Sequence, residues 1–251
     1  MHTEDSKLGE IRAAISLLEE ARAHFVAHIG PPCYKEKPDP RFRYASPSLL
    51  VFIVLRAVRI VSGLNGLVVL LRAGFTQEMG VLIRTISEFL TDIGFAEDAI
   101  VSPTPTSDQQ RLAELYFTEE GDSAEELLAR QRQPEHIPRK KVRAGEARLV
   151  SPDNPQRAQQ LKGVEEIAFS GYVHGSYSCI MELYEGGTGR FLVQGMGGTP
   201  LIPIWRQQIA FYVHRALNVF AGMAHGMGMV DLHDRLIECR CAFEQSSAYN
   251  N

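Results

Sequence analysis

At 251 residues and 28.0 kDa, with 45% hydrophobic and 22% charged residues, the chain holds enough apolar material for a full core and is not collagen-like, fibrous or disordered in composition. A formal net charge of -4 excludes a global attraction to nucleic acid or to an anionic membrane, so any such binding must come from a local patch. Cys33, Cys179, Cys239 and Cys241 are too scattered for a disulfide framework, and the polar stretch Met1 to Glu10 reads as neither secretory signal nor transit peptide, so a reducing, cytoplasmic setting is expected.

Leu8, Ile11, Ile15, Leu18, Ala21, Phe25 and Ile29 recur at three-to-four spacing and predict an amphipathic first helix over Ser6 to Ile29, stopped by Gly30-Pro31-Pro32. A proline-rich, charged loop follows to Tyr44. Ser46 and Pro47 then open a second helix that runs to Ala73, with Gly74 closing it. Its segment Leu49 to Leu71 is strongly apolar but is interrupted by Arg56, Arg59 and Asn65; two arginines near the middle of a membrane span are costly, so it reads as a buried core helix with no membrane partner. Thr76 caps a third helix, Gln77 to Asp98, and a short turn between long helices predicts antiparallel neighbours.

Ser107 opens a further helix to Glu119, with another turn around Ser123 to Gln131. Residues 134–155 contain four prolines and little periodicity, and read as a long surface loop. Helix is expected again from Gln156 to Glu185, then a glycine-rich excursion over residues 186–203 that can hold one small hairpin, then helices from Ile204 to Gly228 and Asp231 to Phe243. So few strands cannot build a parallel sheet. The expected fold is therefore all-α, a single domain made of an antiparallel helical bundle of about seven helices.

Two helix faces carry candidate chemistry. In the third helix Arg84, Glu88 and Asp92 fall at successive i, i+4 positions, which makes them either a solvated stripe of ion pairs or a charged line aimed into a cleft. Later, Ser170, His174 and Ser178 share a face beside Gly171 and Gly175, glycines that would let another helix approach closely. Imidazole can exchange a hydrogen bond with a hydroxyl at that spacing and titrates near neutrality, although a histidine on a packed helix can equally be a satisfied core residue.

The segments Arg84 to Phe89 and Ser170 to Gly175, an R-T-x-x-E-F stretch and a later S-x-x-V-H-G stretch, resemble a broad group of uncharacterised bacterial helical proteins distantly similar to the HEPN superfamily (higher eukaryotes and prokaryotes nucleotide-binding). The resemblance spans about Leu49 to Glu185. It implies a helical protein of stress response or phage defence that meets RNA or another phosphate-containing ligand. The closely spaced Arg and His of the ribonucleases in that superfamily have no match on the late helix, where seven residues separate Arg206 from His214 and nine separate Arg215 from His225. Arg130 and His136 match the spacing, but in the proline-rich stretch.

The site expected from these residues is a cleft of Arg84, Glu88, Ser170 and His174, with Arg84 holding an anion, Glu88 orienting Arg84 or His174, and His174 moving a proton. The cluster Arg130, Arg132, Arg139, Lys140, Lys141, Arg143 and Arg148 could neutralise phosphates, or could lie along the acidic run Glu119 to Glu126. Two rivals stand beside this reading. One is a non-catalytic interaction domain in which the same polar residues fix helix register. The other is a metalloenzyme using His24 and His28, one turn apart with Glu20 a turn earlier. No cofactor is expected, since no G-x-x-x-x-G-K nucleotide cradle occurs, and no G-x-S-x-G elbow marks a serine hydrolase. A homodimer is expected from the apolar content of the second and last helices.

Overall fold

The computed structural model describes residues 2–36, 41–101, 104–118 and 137–250. The first helix, α1 (His2–Ile29), buries Ile11, Ile15, Leu18, Ala21 and Phe25, the stripe its spacing predicts. The loop after it contains a short antiparallel pair, β1 (Cys33–Lys35) and β2 (Arg41–Arg43), in which Tyr34 faces Phe42 with ring centroids 5.3 Å apart. The second helix, α2 (Leu49–Ala73), starts two residues later than expected: Ser48 is the cap, its hydroxyl accepting from the backbone N–H of Val51 at 3.2 Å. Gly74 ends it at φ 76°, a left-handed position that suits glycine.

After that turn comes α3 (Thr76–Ala96), followed by the short α4 (Asp98–Val101) and by α5 (Ser107–Thr118). Helices α1, α2 and α3 close into a four-helix bundle with α9 (Leu201–Gly226), and α10 (Val230–Glu244) packs along α9 and α1. The core lies inside this bundle and includes Phe25, Phe52, Ile60, Leu64, Ile83, Leu90, Tyr212 and Phe220. Helix α2 is the one helix among the described residues long and apolar enough to cross a membrane by length and composition; half of the stretch concerned is buried inside the bundle.

The surface loop expected over residues 134–155 is corrected by the structure: Arg139–Val150 forms a helix, α6, whose Val142, Glu146 and Ala147 are buried. It pairs with α7 (Pro155–His174), and this helical hairpin lies on α3. Prolines hid α6 from periodicity, yet Pro138 only precedes its first turn and Pro155 sits in the first turn of α7, positions where a missing N–H costs nothing. The helix expected from Gln156 to Glu185 also breaks, because Gly175 adopts φ 61° and caps α7; a short α8 (Tyr177–Met181) follows. Within the glycine-rich excursion, β3 (Tyr184–Glu185) pairs with β4 (Arg190–Phe191).

Glycines set how closely the hairpin approaches α3. The ring of Tyr172 lies where a Cβ of Gly80 would stand, and a Cβ on Gly94 would come within 2.9 Å of Glu146 Cγ. Gly171, expected to admit another long helix, instead admits Ser176 and Cys179 around the α7–α8 turn. Gly80→Ala therefore displaces the Tyr172 ring, whose hydroxyl donates to Glu182 at 2.8 Å. The expected loss is about 1–3 kcal/mol, the usual cost of overpacking, and thermal unfolding reads it as a lower Tm; an unchanged Tm contradicts the close fit.

Candidate functional site

Helix α3 has two working faces. Met79, Ile83, Ile86, Leu90 and Ile93 enter the bundle core, while Arg84, Ser87, Glu88, Thr91 and Asp92 turn toward α6 and α7. The charged line read from the spacing is thus enclosed at one end, where the Asp92 side chain is only 3% exposed, while Glu88 at 34% still meets solvent.

Along that line Arg84 Nη1 lies 2.5 Å from Glu88 Oε1. One turn on, Asp92 is held by two guanidiniums from different helices, Arg139 of α6 at 2.5 Å and Arg56 of α2 at 3.3 Å. Arg56 also sits over the Phe89 ring at 4.3 Å and the Tyr116 ring at 4.8 Å, where the ring faces favour a cation. Burial raises the Asp92 carboxyl above the ordinary carboxylate range, and the two arginines pull it back. A cavity of about 410 Å³ opens beside this group, walled by Leu112, Tyr116, Pro138 and Val142. The buried Nε atoms of Arg56 and Arg139 have no hydrogen-bond acceptor among the described residues.

A second polar group lies deeper, between α3, α6, α7 and α9. Glu165 Oε1 accepts from Ser87 Oγ at 2.6 Å, from Arg215 Nη1 at 2.9 Å and from the Tyr212 hydroxyl. Lys162 donates to Glu146 at 2.7 Å and to Thr91 Oγ1 at 3.2 Å, and Arg215 also approaches Glu146 at 3.7 Å. Two cations thus face two carboxylates. Burial works to raise Glu165, but Arg215 and Lys162 outweigh it and hold the carboxyl below its usual value; burial and Arg215 depress the Lys162 ammonium.

Of the four expected site residues, the structure joins Arg84 to Glu88 and brings neither to Ser170 or His174. Contacts from Lys162 to Thr91, Glu165 to Ser87 and Tyr172 to Gly80 fix an antiparallel register, with those α7 residues facing α3. His174 follows Glu165 by nine residues, about 180° around a helix, and it is exposed on the last residue of α7. Ser170 is half-buried, and neither side chain makes a hydrogen bond among the described residues.

Of the basic cluster, Arg139, Lys141 and Arg143 pair with Asp92, Asp108 and Glu166, on α3, α5 and α7. Arg130, Arg132, His136 and the acidic run Glu119 to Glu126 lie outside the described residues, as does the turn expected around Ser123 to Gln131. His24 and His28 are exposed on α1, and Glu20 beside them is engaged by both terminal nitrogens of Arg235 at 2.7 Å. Among the described residues no group of three or more His, Cys, Asp or Glu side chains is placed to hold a metal ion.

Sequence reasoning missed Arg56, Lys162, Glu165, Tyr212 and Arg215. Arg56 carried a signal, an arginine inside an apolar core helix that needs a partner; the others look like ordinary amphipathic positions. No protein-family model matches the chain, and no curated protein or solved structure is similar to it.

Proposed function

We propose that the chain is a HEPN-like bacterial helical protein that binds a phosphate-bearing ligand, RNA included, through the guanidiniums along the polar face of α3. The observation that supports this reading is the charge balance at the cavity wall: Arg56 and Arg139 against Asp92, two cations to one anion. Binding rests on the arginines. His174 is too far around α7 to move a proton at their level.

Titration of fluorescein-labelled single-stranded RNA, followed by anisotropy, tests this reading. Arg56→Met leaves Asp92 paired with Arg139 while removing one cation, and is expected to weaken binding about tenfold, the worth of one charged hydrogen bond. His174→Ala is expected to bind as the parent does. A folded Arg56→Met variant with unchanged affinity overturns the proposal.

A specific observation also favours the interaction-domain reading. The Glu165 group is closed, each carboxylate matched by a cation, as in a network that fixes how α7 sits on α3. That reading predicts no RNA affinity in the parent protein and a lowered Tm in Arg56→Met.

A further inference from the structure

The β1–β2 pair crosses a cavity of about 720 Å³ on the side of the bundle formed by α1, α2 and α5, a volume suited to a small organic ligand. Leu55 and Val58 of α2 form its apolar floor, and neither is fully buried by the rest of the chain. Phe42, Tyr44 and Phe117 supply aromatic walls. Phe42 is 64% exposed, an unusual place for a large apolar side chain that meets only Tyr34 in ring contact.

Among the described residues, the charged side chains that line the cavity are Arg22, Lys35 and Arg43. Arg22 and Lys35 have no ion-pair partner among the described residues, and Arg43 is steadied by donating to the Phe42 carbonyl at 2.9 Å. Arg22 and Lys35 beside an apolar hollow, on a chain of net charge -4, place positive charge at one point of the surface. Burial raises the Tyr44 hydroxyl above its ordinary value, so it stays a donor.

We propose that this cavity is a binding site for a small aromatic anion, a flat ring system seated against Phe42, Tyr44 and Phe117 with its phosphate or carboxylate group held by Arg22 and Lys35. Rings bind rings through their faces and edges, and cations select the charged end. The site is separate from the arginines around Asp92, the Tyr116 ring being a wall to both cavities.

Isothermal titration calorimetry on the full chain tests it with 1-naphthyl phosphate, 1-naphthol and inorganic phosphate as probes. The expected result is binding of 1-naphthyl phosphate at least tenfold tighter than of either fragment. Arg22→Glu, Lys35→Glu and Phe42→Ala change side chains that are not buried and are each expected to weaken it about tenfold. Equal affinity for 1-naphthol and its phosphate overturns the proposal, as does unchanged affinity in the Arg22 and Lys35 variants with parental circular dichroism.

Discussion

Replacing Glu165 with alanine lowers the stability of the fold by about 3–5 kcal/mol, the range for breaking a buried ion pair on one side. The carboxylate accepts from Ser87, Tyr212 and Arg215, and Lys162 is close enough to stabilise its charge. Without it, Arg215 and Lys162 share the single carboxylate of Glu146, and the Tyr212 hydroxyl loses its acceptor. Urea unfolding reads the effect as a lower midpoint at constant slope. The difference also has a pH signature. Because the folded carboxyl titrates below its unfolded value of 4.5, its contribution is present above that pH and is lost as pH falls through the folded value. Parent and variant therefore converge in acid. A loss under about 1 kcal/mol at neutral pH would mean that water already solvates these charges.

Glu97 has the opposite sign. It follows α3 directly, and its carboxyl occupies the space that a Cβ on Gly222 of α9 would need. Burial, with help from Asp98, pushes its pKa up to about 7. Between about 4.5 and 7 the native state holds a proton that the unfolded chain has released, so stability falls as pH rises through this window and levels off above it. Glu97→Gln keeps the shape and removes the titration. It is expected to match the parent near pH 4 and to exceed it by up to about 3 kcal/mol at pH 8, from a shift of about two and a half pH units. Urea midpoints across pH 4 to 8 measure this; parallel profiles for parent and variant sink the assignment.

Apolar periodicity made the bundle legible. The stripes of α1, α2, α3 and α9 bury what their spacing says, because four long helices around one core need little beyond the i, i+3, i+4 pattern. Helix α6 escaped notice because Val142 and Ala147 are too few to make a stripe, and much of what holds it comes from partners distant in sequence, Asp92 to Arg139 and Glu166 to Arg143. The polar face of α3 was half legible. Spacing found Arg84, Glu88 and Asp92, and the structure encloses Asp92 while leaving Glu88 partly in solvent. It could not supply Arg56 or Arg139, whose positions depend on how α2 and α6 pack. The match to Ser170 and His174 rested on a shared helix face without knowledge of its direction, and the face that meets α3 instead carries Lys162, Glu165 and Tyr172.

The α6–α7 hairpin is held on the bundle by charge and by rings together: ion pairs such as Asp92 with Arg139 and Glu165 with Arg215, and Phe169 and Tyr172 against Trp205 and Tyr212. Helix α7 has no fully buried residue, and among the described apolar side chains of α6 Val142 and Ala147 are the buried ones. Dissolved ions weaken ion pairs at the edges of the seam beneath the hairpin and leave apolar and aromatic packing largely untouched. The molecule thus joins two materials with different weaknesses: a centre indifferent to salt, and a hairpin whose charged margin loosens as ionic strength rises.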